Sequence, residues 1–578
     1  MAPTFVGFDA ITEKKSSPNY ANPDKQLIKQ LDELERISLT ERDKHLGRDY
    51  FRDIKEFYSL EDDLGNFPSY RPRVRIPQLQ TLVLNEATDI TDSSPKIYIA
   101  GKGDRDKDRE AYYQANWRAG SYNNRILYAV IWSLLTNMGF VQVGFSPTAR
   151  RGKGVTWLES RDPETVLPDP FCKSDLDWSW VEFWDDLYID DIQNRWPDRG
   201  SEIRPRMYSI GGDDPASLSE SSLEFPEYSP LSNQGEQPSP AKLFRNSRPR
   251  VRQFYILDNT REKIKDYAGN QAISADLVSP RFAHKYPQGR WITSCQNTIL
   301  ADGSNWCPQL PDEDRPTFPL VRIAAMPTIA DFWGPPPVKL TRDLQNLAER
   351  LNSQFVENVM RTNNGVIVMD SNSGIEPNSI GWIPGEIIMI NPGARPPQVI
   401  SPAAMPQHMV SYPASLLALQ KELQGYSGSR QGEGGKGNVS PELYDATIWQ
   451  SQYQTRLRTR LLSEPIQRLA QMVFYIDAHY KQIADKVAVP ERGELNFVDW
   501  EPISPGDIPG YEAYLDEGSL RTMSASAMRS VVAALGKAQM LPTEYILEAL
   551  DIPNASELAE KKMRELELSA LGKVRKPR

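Results

Sequence analysis

What this chain of 578 residues has least of narrows its chemistry first. It holds three cysteines and four histidines. Cys172, Cys295 and Cys307 are too few and too scattered for a disulfide framework, and none forms a Cys-x-x-Cys pair. A reducing, intracellular place of synthesis fits that count. His45, His284, His408 and His479 leave a zinc site little to work with, so no metal and no cofactor are expected. Nothing in the opening MAPTFVGFDAITEKK resembles a signal peptide. The best membrane candidate, ILYAVIWSLLTNMGFVQVGF, is broken by Asn137 and Gln142. It reads as a buried helix running into a strand rather than a span of about 20 apolar residues. An excess of basic charge is also missing. The formal net charge of −10 argues against a broad, tight grip on nucleic acid, because phosphate contacts need lysine and arginine. A surface that DNA slides past without sticking remains compatible with it.

What is present is a globular composition, with 39% hydrophobic and 25% charged residues. The length implies two to four structural units. The 46 prolines are about 8% of the chain against a usual 5%, which implies many loops and strand ends. Residues 24–62 read as a charged amphipathic helical region. Further helices are expected around Ile76–Leu84 and through EAYYQANWRAGSYNNRILYAVIWSLLTN, with strands at KIYI and GFVQVGF. From 155 to about 330 the pattern changes to short β-like runs, among them VTWLES, VEFWDDLYI, RQFYIL, RWITSC and FPLVRIA. The polar, proline-rich stretch 211–240 reads as a mobile surface insertion.

After GPPP, a helix over 338–362 places Leu340, Leu344, Leu347, Leu351, Phe355 and Val359 on one stripe, with Arg342, Asn346, Glu349 and Ser353 opposite. Asn363-Asn364-Gly365 ends it. A small β unit follows (GVIVMD, GWIPGEIIMI, PPQVIS), and helix returns over 408–424. Ser440-Pro441 makes a good start for a long helix, with a hydroxyl cap and proline in its first turn. Pro465 is expected to kink or interrupt that helix, since it removes a backbone donor and crowds the preceding turn. From about 507 onward the pattern suggests short helices and a basic tail, KVRKPR.

Between the last two helices stands GYSGSRQGEGGKGNVSPE, Gly425 to Glu442. A phosphate-binding loop needs Gly, four residues, then Gly-Lys-Ser/Thr, after a strand. Here the first glycine position is Arg430, the residue after Lys436 is Gly437, and a helix leads in. The segment is instead a flexible connector, longer than the 2–8 residues usual between helices.

The order helix, small β unit, helix, glycine loop, long helix, helical C-terminus resembles the portal protein of tailed bacteriophages, in its podovirus form. Local phrases across roughly 65–490 are similar too: NEATDITDSSPKIYI, RDPETVLPDP with DLDWSWVEFWDDLYIDDI, and PTFPLVRIAAMPTIADFWGPPPVKLTRDLQNLAERLN. The resemblance implies an α+β portal fold. An N-terminal region and wing would occupy 1–330, a first stem helix 331–362, an α/β clip 363–405, a second stem helix 406–424 and a tunnel loop 425–440. A long kinked helix returning to the wing (441–505) and a helical crown (506–578) would complete it. It further implies a homo-oligomeric ring of about twelve copies. The ring would be assembled in the host cytoplasm, sit at the unique capsid vertex of the virion, and serve as conduit for double-stranded DNA. Other implied partners are the terminase large subunit, a head–tail adaptor, and the major capsid and scaffolding proteins, with no membrane. Tyr426, Arg430 and Lys436 would face DNA from the tunnel loop. The stem face with Arg342, Asn346, Glu349 and Ser353 would lie nearer the channel or solvent while the leucine stripe packs on neighbouring subunits. Asn363, Asn364, Asp370 and Glu386 would offer the clip's docking surface. No catalytic residue is implied.

Two other readings stand beside it. One is a different virion component of the tail or baseplate. The other is a carbohydrate-active enzyme using the acidic aromatic run 175–191, since paired carboxylates beside tryptophans are what a glycoside hydrolase uses. A half-buried strand explains the alternation of Trp178, Trp180 and Trp184 with charged residues equally well. Aspartates 185, 186, 190 and 191 lack the spacing and central glycine of a calcium loop, so a solvated strand edge is the plainer expectation there.

Overall fold

A computed structural model describes residues 23–45, 57, 72–92, 95–101, 104–203, 248–263, 282–311, 313–328, 332–363, 366–376, 387, 389–400, 407–425, 453–491 and 494–516. The insertion 211–240, the tunnel-loop stretch from 426 on, the Ser440-Pro441 helix start and the region beyond 516 lie outside them. Helix and sheet are mixed throughout. In chain order come α1 (Pro23–His45), α2 (Gln78–Thr91), β1 (Ile97–Gly101), β2 (Asp104–Arg105), α3 (Lys107–Ala119), α4 (Tyr122–Thr136), β3 (Gly139–Ser146) and β4 (Val155–Arg161). Then follow β5 (Val166–Pro168), β6 (Trp180–Asp186), α5 (Ile189–Arg195), β7 (Arg250–Ile256), β8 (Arg261–Lys263), β9 (Phe282–His284), β10 (Arg290–Cys295), β11 (Thr298–Ser304) and β12 (Leu320–Ile323). The last third holds α6 (Lys339–Asn363), β13 (Val366–Val368), β14 (Gln398–Ile400), α7 (Gln407–Leu423), α8 (Tyr453–Tyr480), β15 (Asp485–Glu491), β16 (Glu494–Trp500) and β17 (Tyr511–Leu515).

The main core forms around α8. Leu469, Ala470, Met472, Val473, Phe474 and Ile476 are all fully buried, so this half of the helix lies inside the protein. It is packed with α2, α3, α4 and the sheet β12-β3-β4. Pro465 is accommodated within the helix, which runs unbroken from Tyr453 to Tyr480. Polar groups at its end are fixed by a buried ionic cluster. The Asp485 carboxylate accepts from Lys481 (3.1 Å), Lys153 (3.1 Å), Arg150 (3.0 Å) and Tyr112 (3.1 Å). Burial alone would raise the Asp485 carboxyl, but Lys481, Lys153 and Arg150 hold it well below the usual carboxylate range. The neighbouring Asp477 is raised by burial, which Lys481 and Thr156 only partly offset.

A five-stranded antiparallel sheet, β11-β10-β7-β6-β5, forms the second layer. One face is covered by α1, whose Leu27, Ile28 and Leu31 pack on Trp180, Phe254, Ile256 and Ile292. Asp32 and Glu35 of α1 both accept from Arg252 of β7 at 2.7 Å. Glu182, beneath α1 on the same face, is fully buried, and burial pushes its carboxyl far above the ordinary value. The tryptophans of the acidic aromatic run therefore do not lie on a half-buried strand, whereas Asp186, Asp190 and Asp191 beyond them are exposed, as expected, and Asp185 is half-buried. Trp178, Trp180 and Trp184 are all buried, and β6 lies inside the sheet between β5 and β7. A second difference concerns residues 511–515, expected to open a helical region. They form β17, which pairs antiparallel with β1 from Ile97↔Leu515 to Gly101↔Tyr511 and tucks Ala513 into the core.

Candidate functional surface

The chain enters α6 through a tight node. Gly334 sits at φ +64°, a conformation that disfavours a side chain, and a Cβ there would come within 2.6 Å of the Asn137 amide. Asn137 in turn donates to the Trp333 carbonyl (3.2 Å) and accepts from the Met326 amide (2.8 Å). From that anchored start α6 runs 25 residues, and α7 returns beside it. Gln424, just past the end of α7, donates to Thr341 Oγ1 in the first turn of α6 (2.6 Å), so the two helices run antiparallel. Between them β13 and β14 pair, Val366↔Ile400 to Val368↔Gln398.

The amphipathicity of α6 is used the opposite way from a core helix. Its polar face is the inward one: Arg342, Glu349 and Ser353 are 3%, 5% and 2% exposed, and Asn346 is half-buried. The expectation that this face lies nearer channel or solvent therefore does not describe the single chain. The reason is a ladder of hydrogen bonds at one side chain per helical turn. Ser353 Oγ accepts from the Val74 amide (3.0 Å), Glu349 Oε1 from the Ile76 amide (2.9 Å) and Gln345 Oε1 from the Leu79 amide (2.8 Å). Residues 72–76 belong to no sheet, so these side chains supply the partners that a neighbouring strand would otherwise give. Gln78 completes the joint, donating to the Leu417 carbonyl of α7 (2.8 Å) and to Gln420 (3.0 Å).

The apolar stripe faces outward. Leu340 is 61% exposed and Met360 51%, with Leu347 and Val359 also exposed and Leu344, Leu351 and Phe355 half-buried. On α7, Val410, Tyr412, Leu419 and Leu423 are exposed as well, while Leu416 and Gln420 turn inward. A helix pair that hides glutamate, arginine and serine and displays leucine is unusual in a protein that works alone, and such a surface marks an interaction site.

The remaining expected site residues are divided. Asn363, the last residue of α6, is exposed, and so is Asp370, which caps a turn by accepting from the Asn372 amide (3.3 Å). Ile387 and Met389 nearby are each 85% exposed. Asn364, Glu386, Tyr426, Arg430 and Lys436 lie outside the described residues. The carboxylates of the acidic run do not converge. Glu182 is sealed under α1, Asp185 is held by the Arg161 guanidinium (Nη2–Oδ2 2.8 Å) and Asp186 is exposed near Arg250. Among the described residues no group of three or more His, Cys, Asp or Glu could hold a metal ion, and no helix is long and apolar enough to cross a membrane. Cys172, Cys295 and Cys307 are all buried. The sequence carries no side-chain signal of this inward latch, because its partners are backbone amides some 270 residues away.

No protein-family profile matches the chain, and no curated protein sequence does.

Proposed function

We propose that copies of this chain associate through the apolar face of α6 and α7 into a closed ring, and that the ring is the portal of a tailed bacteriophage. The observation that carries the proposal is the inverted amphipathic helix pair, with Leu340 and Leu347 outward and Glu349 and Ser353 inward. In a ring, each copy offers one side of this pair to the next copy, and a head-to-tail contact closes without leaving an open apolar edge. The order of elements supports the portal assignment within ring-forming proteins: two antiparallel helices flanking a small β pair, a glycine-rich loop, then a long buried helix.

The physical role is a conduit. The acidic balance of −10 keeps the DNA backbone from being trapped, and sparse basic positions such as Arg430 and Lys436, repeated around the ring, guide or retain the duplex. The small β unit, with Asn363, Asn364, Asp370 and Glu386, is the docking surface for the terminase and later for a head–tail adaptor. Adenosine triphosphate hydrolysis then belongs to the terminase, in keeping with the glycine loop's failure as a phosphate site. Negative-stain electron microscopy of the concentrated protein tests the proposal. End-on averages showing a closed ring with a hole wide enough for duplex DNA are expected. Compact single-chain particles, even with capsid scaffold added, would overturn it.

A further inference from the structure

A cleft of about 620 Å³ opens between the sheet β12-β3-β4 and the five-stranded sheet, within the range of small-ligand sites. Tyr255 and Trp291, stacked on each other from adjacent strands (6.5 Å, 29°), line its floor, and Phe183, fully buried, stacks on Tyr255 behind them (5.6 Å, 18°). Trp306 closes one end, its Nε1 donating to the Tyr255 hydroxyl (2.8 Å). On the facing wall Trp157 lies across Gly144, where a Cβ would come within 2.1 Å of the indole. Trp157, Trp291 and Trp306 are each half-buried, so each presents part of a ring to the cleft. Gln253 and Glu159 stand among them.

We propose that this cleft binds a neutral oligosaccharide and does not cleave it. Flat indole faces suit the C–H faces of pyranose rings, whose partial positive charge meets the negative face of the π system. The amide of Gln253 and the carboxylate of Glu159 supply in-plane partners for vicinal hydroxyls. The lining charges cancel, Arg161 and Arg195 against Glu159 and Asp185, which disfavours a nucleotide or other phosphate-bearing ligand, since those need net positive charge. Hydrolysis would need two carboxyl groups free to act on opposite sides of the bond. Asp185 is already engaged by Arg161, which leaves only Glu159 exposed.

The proposal is independent of the ring reading, because none of these residues belongs to α6 or α7. Saturation-transfer NMR on the purified full-length chain, with maltotriose, cellotriose and chitotriose as probes, tests it, with tryptophan fluorescence as a second readout. At least one trisaccharide should receive saturation and quench fluorescence. Glu159→Ala, at an exposed position that spares the fold, and Gln253→Ala should each weaken binding by about fivefold, the loss of one ordinary hydrogen bond. Saturation from none of the three, or binding unchanged in both variants, would overturn the proposal. So would displacement by a proline-rich peptide that itself binds more tightly, and release of shorter sugars would overturn the binding-only part.

Discussion

Glu349→Ala tests the joint that turns the polar face of α6 inward. In the intact protein the Ile76 amide donates to Glu349 Oε1 at 2.9 Å, and Glu349 is 5% exposed. Removing one partner of a buried hydrogen bond costs about 1–3 kcal/mol, because the donor left behind has lost its acceptor. If the joint opens locally, that energy becomes an increase of about 5- to 150-fold in the hydrogen-exchange rate at Ile76. Val74 and Leu79, held by Ser353 and Gln345 on the turns either side, should accelerate by a smaller factor. Residue-resolved exchange by mass spectrometry reads all three amides. Glu349→Gln retains an acceptor oxygen and should recover most of the protection. Arg350→Ala, at an exposed neighbouring position, should change nothing. An Ile76 rate equal in wild type and Glu349→Ala would refute the reasoning, as would equal acceleration throughout the protein, which would signal global destabilisation.

Other expectations follow from burial and charge. Leu347→Asp places a charge on the outward stripe; it should leave the thermal midpoint of the isolated chain within about 2 °C while abolishing assembly, because an unpaired charge in an interface costs several kcal/mol. Light scattering and thermal melts check the two halves. Glu182 lies near Arg252, Arg250, Glu35 and Asp32 and its folded pKa is raised, so the stability it contributes is fully present below its unfolded value near 4.3 and is lost as pH rises through the folded value. Glu182→Gln should therefore melt higher than wild type at pH 8 and show a flatter profile above pH 5; identical profiles would refute this. Asp485 has the opposite sign. Its depressed carboxyl contributes stability present above about pH 4 and lost as pH falls toward its folded value. Asp485→Asn leaves Lys481 buried without its anion and should cost about 3–5 kcal/mol in denaturant unfolding at pH 7.

The helices α6 and α7 were legible almost to the residue, because a leucine stripe bounded by GPPP and Asn-Asn-Gly carries its own start and stop signals. Their orientation was not. Periodicity finds two faces but not which one turns inward, and here Ser353, Glu349 and Gln345 take backbone amides of 72–79 as partners. The burial of β6 was hidden for a similar reason. Alternating tryptophan and carboxylate reads as one wet face until α1, more than 130 residues earlier, covers that side and leaves Glu182 beneath it. Pro465 broke a local rule without breaking the helix. The strand at 511–515 is hidden in the sequence because five residues of YEAYL carry too little alternation to mark it, and pairing with β1 decides the matter.

If the outward leucines of α6 and α7 hold copies of the proposed ring together, the mass of the protein in solution shows it directly, by native mass spectrometry or light scattering across a range of concentrations. A ring of twelve copies of 65.5 kDa has a mass of about 786 kDa, and a discrete species of that order is expected, which Leu347→Asp returns to single chains. A mass of 65.5 kDa at every concentration, or an assembly that Leu347→Asp leaves intact, would contradict it.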